Sequence, residues 1–270
     1  MLSATFLDSQ AGRIFCTRWE PGQPSVPEPQ RRPVLIVPPF GEEMNKSRHL
    51  LAALGRAAAA SGACAVLPDL YGTGDSEGDF GEATLATWRA DVDASIRHLG
   101  EEKPVHLVGV RFGALLAADA AQRHRVASLI LVQPLADGRA QLNQMLRLRL
   151  AAAMAGGGER ERSSDLRARL AAGEPLEFAG YRVNGALADD LEGLALDTLA
   201  PPAGTPVRWV DVVPDATREP APALERVLEH WRLAGIDVAQ ERVVCDAFWA
   251  AQELVRCPDI AEPLARALAG

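Results

Sequence analysis

Two spacings of apolar residues alternate along most of the chain. Short uninterrupted runs occur at Val34-Leu35-Ile36-Val37, at 63–67, at Val105-His106-Leu107-Val108-Gly109-Val110, and again at 127–132 and 207–213. Such runs predict strands covered on both faces of a sheet. Between them apolar positions recur every three or four residues. From Leu85 they fall at Trp88, Val92, Ile96 and Leu99, one face of a helix. A helix is also predicted over 47–61, closed by Gly62, and an alanine-rich one follows Gly113. At the start, 5–8 and 13–19 flank Ser9-Gln10-Ala11-Gly12 and predict a hairpin. The stretch 21–33, with five prolines, predicts a connecting loop.

Strand and helix alternation implies the α/β class, with a mostly parallel central sheet, right-handed crossovers and helices on both faces. The alternation breaks over 134–204. Helical patterns fall there at 141–154, 165–172 and 186–196, and 156–164 is expected to be a mobile loop. Sheet-type alternation resumes with 207–213, a helix over 222–234, a strand at 242–245 and a terminal helical region from Ala247. The expected organisation is a core of 1–133 and 205–270, with 134–204 as a helical cap insertion. The insertion has few bulky apolar residues and would make a marginal core alone. Parallel sheets bind ligands beyond the carboxyl ends of their strands. Residues 40–48, 69–80, Arg111 and Gln133 all fall at those ends.

Charge and composition remove several possibilities. A net charge of -8, with no basic cluster interleaved with aromatics, argues against a nucleic-acid partner. Residues 1–19 lack a basic segment followed by an apolar run, and no apolar stretch has the length of a transmembrane segment. The expectation is a cytoplasmic protein. Cys16, Cys64, Cys245 and Cys257 are scattered, which predicts reduced thiols, no metal and no cofactor. Lys46 and Lys103 are the only lysines.

The stretch from Val105 to Ala117 joins a buried strand, the turn Gly109-Val110-Arg111-Phe112-Gly113 and an alanine-rich helix. It has the shape of the nucleophile elbow, G-x-S-x-G, of α/β-hydrolases, which predicts that fold. The apex is Arg111, and a guanidinium stays protonated and cannot attack a carbonyl. In this fold the acid and histidine follow on two later loops. Asp215 fills the acid position, but no histidine occurs after His230, and the last strand is followed by Cys245-Asp246-Ala247-Phe248-Trp249. Losing the nucleophile or the histidine alone costs about a millionfold in a serine protease. Serine-type acyl transfer is therefore not expected, and Asp215 becomes a vestigial acid position.

The chain resembles the second of the exosortase A system-associated hydrolases, bacterial proteins encoded with exopolysaccharide and protein-sorting systems. The resemblance rests on Pro39-Phe40-Gly41-Glu42-Glu43-Met44-Asn45-Lys46-Ser47-Arg48, on 69–80, on Gly109-Val110-Arg111-Phe112-Gly113-Ala114-Leu115-Leu116, and on Leu146-Arg147-Leu148-Arg149. It continues through Gly173-Glu174-Pro175-Leu176-Glu177-Phe178-Ala179-Gly180-Tyr181 and Phe248-Trp249-Ala250-Ala251-Gln252-Glu253. It implies that arginine at the elbow is the family's own pattern, that the family's hydrolase label comes from fold similarity, and that protein partners of such a system are to be sought. Pro38 stands where that family would carry a histidine, which weakens any base from the first loop.

Arg111 at a helix N-terminus needs a balancing anion. Two readings are open. In one it receives a small anionic or acyl-bearing ligand beside the N–H groups of Phe40 and Phe112, in a degenerate, pseudoenzyme site. In the other it is tied to Glu42 or Glu43 in a bridge that closes the pocket. Arg111, Glu42 and Glu43 are the candidate catalytic residues of a non-serine hydrolase or acyl-handling enzyme. Phe40, Asn45, Lys46, Arg48, Phe112 and Gln133 are candidate binding residues. The run Gly72-Thr73-Gly74-Asp75-Ser76-Glu77-Gly78 lacks the third glycine spacing of a dinucleotide fingerprint and reads as a tight loop. At most one of Arg147 and Arg149 is expected to face the pocket, and His49, His98, His106, His124, Cys245, Phe248 and Trp249 read as structural.

Overall fold

The computed structural model describes residues 1–22, 31–100, 102–155, 161–219 and 221–269. Most of the proline-rich connection 21–33, and residues 156–160 of the expected mobile loop, lie outside the described residues.

The chain opens with a hairpin of β1 (Leu2–Asp8) and β2 (Arg13–Trp19), then runs through β3 (Pro33–Val37), α1 (Gly41–Ala60), β4 (Cys64–Pro68), α2 (Leu85–Leu99), β5 (Val105–Val110), α3 (Gly113–Ala121) and β6 (Val126–Val132). An inserted segment follows: α4 (Gly138–Ala155), α5 (Ser163–Ala171), β7 (Leu176–Phe178), β8 (Tyr181–Val183) and α6 (Gly185–Gly193). The chain then completes the sheet with β9 (Val207–Val213), α7 (Pro222–Leu233), β10 (Val238–Val244) and α8 (Glu262–Ala269). The eight-stranded sheet has the order β1-β2-β4-β3-β5-β6-β9-β10. From β4 to β10 every pairing is parallel; only β1 and β2 run antiparallel to their neighbours.

The unbroken apolar runs have a simple cause. In β3, Leu35 and Val37 enter the core on one face while Val34 and Ile36 enter the core on the other. Both faces are covered, so neither tolerates the polar alternation of a half-exposed strand. Leu142, Met145, Leu166, Phe178 and Leu191 of the inserted segment join the same core as Trp88 and Leu107. The Asp190 carboxylate also accepts the Leu85 backbone N–H at 3.0 Å, tying α6 to the start of α2.

Several boundaries differ from expectation, four of them with a definite physical cause. Helix α1 starts at Gly41 rather than Ser47, so Glu42 and Glu43 lie in its first turn and not in a loop. Its N-cap, Phe40, offers no side-chain cap, and the usual start signal is absent. Two acids in the first turn complement the helix dipole instead. The hairpin β7–β8 was not legible because its strands are three residues long; it turns at Ala179 and Gly180, both with positive φ. Strand β10 starts at Val238 because, as an edge strand, it tolerates Gln240, Glu241 and Arg242. The helical region expected from Ala247 is confined to a short 3-10 turn at Pro258–Ala261 and α8. Before it, Phe248 is buried and Trp249 reaches toward Arg111, holding the segment in a turn. No helix among the described residues is long and apolar enough to cross a membrane.

Candidate functional site

The turn after β5 is forced by its glycines. A Cβ on Gly109 would lie 2.4 Å from Ala114 Cα, and one on Gly113 would lie 2.2 Å from the Val37 carbonyl oxygen. Both obstacles are backbone, which cannot swing aside. Between them Arg111 sits at φ 56°, a region costly for a side-chain-bearing residue, and its N–H is anchored on the Val132 carbonyl at 3.0 Å. This is the strained apex of a nucleophile elbow, carrying a cation.

Arg111 is 5% exposed and Glu43 4%. Nε and Nη2 each donate to a different Glu43 carboxylate oxygen at 3.1 Å, a planar two-bond fork. Nη1 donates to the Gln133 carbonyl at 3.3 Å, and Nη2 also reaches Gln144 Oε1 at 3.4 Å. The Gln144 amide donates to Glu43 Oε1 at 2.8 Å, so Gln144 serves both members of the pair. The Trp249 ring covers the guanidinium, 4.5 Å from Cζ to the ring centroid. The elbow, α1, α4 and the segment after β10 thus converge on one cation. Of the two candidate glutamates only Glu43 is engaged. Glu42, one residue earlier on the helix, is half-buried with no hydrogen-bond or ion-pair partner among the described residues.

The other triad positions have been rebuilt. Asp215 is exposed, and its carboxylate accepts from the Thr217 N–H and hydroxyl, which hold it below the usual carboxylate range. It caps a surface turn and touches nothing of Arg111. From the segment that would carry the histidine, Trp249 comes to the elbow. Two residues missed in the sequence therefore complete the cluster. Gln144 lies in a mixed helix with no distinguishing signal, and the adjacent aromatics Phe248-Trp249 at the histidine position were the one available hint for Trp249.

The candidate binding residues divide. Phe40 and Phe112 pack edge to face at 4.9 Å, and Phe40 lies 5.0 Å from Trp88 and 5.9 Å from Phe80, so aromatic side chains fill the space beside the elbow. Gln133, at φ 43°, gives its carbonyl to Arg111 and its side-chain oxygen to the Val212 N–H at 2.6 Å, locking β6 to β9. Asn45, Lys46 and Arg48 do not join the Arg111 cluster. Asn45 donates to the Tyr181 hydroxyl at 2.8 Å, Lys46 to the Ala250 carbonyl at 3.4 Å, and Arg48 pairs with buried Asp69 at 3.2 Å. Helical geometry turns Asn45 and Arg48 away from the face of α1 that carries Glu43, whereas Lys46, three residues on, shares that side but spends its ammonium on the Ala250 carbonyl.

Ser76 Oγ is committed to the Phe15 N–H and the Asp69 carbonyl. Arg149 forks onto Glu161 and lies over Phe178, and Arg147 is exposed. Burial pushes the Cys245 thiol up, as expected of an inert thiol.

Two cavities flank the cluster. One, about 30 Å³, lies between the start of α1 and the inserted segment, lined by Phe40, Glu42, Gln141, Met145, Phe178 and Tyr181. Gln141 Oε1 is the one buried side-chain polar atom without a partner among the described residues. The other, about 560 Å³, lies beyond β9 and β10 and includes Gln133, Asp211, Cys245 and Trp249 in its wall. Trp249 separates it from Arg111. Asp211 accepts from Trp209 Nε1 at 3.1 Å and Gln240 Nε2 at 2.9 Å, and burial holds its carboxyl above the usual range. A lone acid in Val210-Asp211-Val212-Val213 was the sequence signal for it.

A mostly parallel sheet with this elbow and an insertion after β6 defines the class of α/β-hydrolase folds. The comparisons agree: the alpha/beta hydrolase fold family matches residues 32–226, and the chain belongs to that family. Est1E from Butyrivibrio proteoclasticus, solved with ferulic acid bound, is similar at 16% identity and a TM-score of 0.67, over 98% of this chain and 96% of that one. Proline iminopeptidase from Mycobacterium smegmatis is similar at 17% identity and a TM-score of 0.59, over 99% and 98%. Alpha/beta hydrolase domain-containing protein 10 from mouse reaches 21% identity and a TM-score of 0.51, over 89% and 88%. At these identities the likeness is one of fold. No curated protein matches the sequence.

Proposed function

We propose that this is an accessory or ligand-binding α/β-hydrolase-fold protein, a pseudoenzyme with respect to serine acyl transfer. The supporting observation is the buried fork between Arg111 and Glu43 at the elbow apex. It places a paired cation where the chemistry needs an oxygen nucleophile, and it occupies the nearest carboxylate. Residues 134–204 act in this reading as a cap over the site; aromatic side chains fill the space beside the elbow, so a small anionic or acyl-bearing ligand enters by the cavity beyond Trp249. The resemblance of 39–48, 109–116 and 173–181 supports placing the protein in the cytoplasm of a bacterium with an exosortase and exopolysaccharide system, among that system's protein partners.

A panel of ester, thioester and phosphoester substrates on the wild type and Arg111→Ala tests the reading. No turnover and no fluorophosphonate labelling are expected. Turnover that disappears in Arg111→Ala overturns it. Deletion of the gene is expected to alter exopolysaccharide output or processing of sorted proteins; no change in either overturns the placement.

Glu42 favours a second reading. Its carboxylate lines the small cavity without a partner among the described residues and could serve as general base toward water, with the fixed Arg111 balancing charge. Turnover in the same panel that survives in the wild type and is lost in Glu42→Gln would select it.

A further inference from the structure

The opposite end of the sheet carries a second cluster, at the N-terminal ends of β3, β5, β6 and β9. A cleft of about 430 Å³ is lined there by Arg32, His106, Ser128, Pro206, Arg208 and Arg266. His106 is 8% exposed and Ser128 4%, and their side chains meet at 2.8 Å through His106 Nδ1 and Ser128 Oγ. His106 Nε2 has no partner among the described residues, yet it is not among the sealed polar atoms, where only Gln141 Oε1 is found. It therefore opens onto the cleft. Its hydrogen-bonding capacity is open to water or to a ligand group in the cleft.

The rim is cationic in a chain whose net charge is -8. Arg208 and Arg266 both hold Glu241, and Arg266 also holds Glu262 at 3.0 Å. Arg32 has no acid within ion-pair distance among the described residues, and its charge acts on His106. The two acids leave one guanidinium unbalanced in the lining. In the tautomer whose Nδ1 accepts from the serine hydroxyl, the neutral imidazole presents Nε2–H to the cleft. A carboxylate is satisfied by one guanidinium fork. Donors from β5, β9, α8 and the residue before β3 suit an anion with oxygens in three dimensions.

We infer that this cleft is a phosphate site, taking a phosphate monoester of a small molecule through Arg32, His106 Nε2 and the rim arginines. It is independent of the elbow, and its volume leaves room for an organic group beyond the phosphate. The test is calorimetric titration of the full chain with inorganic phosphate, phenyl phosphate and acetate. Phenyl phosphate is expected to bind, and acetate to bind at least tenfold more weakly. Arg32→Ala is expected to weaken phosphate binding roughly tenfold or more, and Arg32→Glu to abolish it. Arg32 is on the surface, so both variants keep the fold, and His106→Gln should weaken binding comparably. Equal affinity for phosphate and phenyl phosphate supports the site with inorganic phosphate as its natural ligand. No binding at millimolar phosphate, acetate binding as tightly as phosphate, or affinity unchanged in Arg32→Ala overturns it.

Discussion

Arg111 and Glu43, 68 residues apart in the chain, meet in two hydrogen bonds of 3.1 Å beneath the ring of Trp249. The pair joins the elbow after β5 to the first turn of α1, the two pieces of backbone that frame the site in an α/β-hydrolase fold. Removing one member leaves the other charge buried. Arg111→Met and Glu43→Met are each expected to cost about 3–5 kcal/mol, and the double variant carrying both much less than their sum. Urea unfolding of the four proteins measures this. Additive losses would show that the pair is not coupled.

Restoring the nucleophile alone should not restore chemistry. Arg111→Ser gives the elbow a hydroxyl, but Asp215 is on the surface and Trp249 occupies the side from which a histidine would act. The variant is expected to show no fluorophosphonate adduct by mass spectrometry. Its main effect is on stability, through an unpaired Glu43.

The elbow glycines are expected to be intolerant. Gly113→Ala forces a methyl to within 2.2 Å of the Val37 carbonyl oxygen and should cost about 3 kcal/mol or more, or prevent folding. Gly193→Ala meets nothing within 4 Å and is expected to change stability by less than about 1 kcal/mol. Thermal melts of the two variants compare a backbone constraint with an open position.

Two buried groups give opposing pH dependences. Burial pushes the Asp91 carboxyl up to about 6, against hydrogen bonds from Ser9 and the Tyr71 N–H. A raised carboxyl is protonated more readily in the folded state, so its contribution is fully present below about pH 4 and is lost as pH rises through 6. Burial and Arg32 push His106 down to about 4. The unfolded chain takes up that proton first, so stability falls as pH drops from about 6.5 toward 4. Asp91→Asn should remove the loss on the alkaline side, with Ser9 accepting from the new amide. His106→Gln should remove the loss on the acid side. Unfolding free energy measured from pH 4 to 8 separates them; a variant profile parallel to the wild type would refute the assignment for that residue.

The stacked Trp249 is expected to stabilise Arg111 by about 0.5–2 kcal/mol beyond its own packing. Trp249→Leu should therefore lose more stability in the wild-type background than in Arg111→Met, measured by denaturant unfolding.

Sequence alone determined the α/β class, the buried strands and the elbow. Each is written in local spacing: continuous apolar runs for strands covered on both faces, and two glycines around one apex residue. It also determined that serine chemistry has no nucleophile and no histidine on the expected loop, because chain order decides both. Tertiary structure alone decided what Arg111 does. The choice between Glu42 and Glu43 turns on the start of α1, which has no cap residue to mark it. Once the helix begins at Gly41, its 100° step per residue sends Glu43 to Arg111 and leaves Glu42 without a partner among the described residues. Gln144 and Trp249 arrive from segments far along the chain, and His106 meets Ser128 through strand register. Long-range pairing leaves no local periodicity, so these contacts could be read only after the chain had folded.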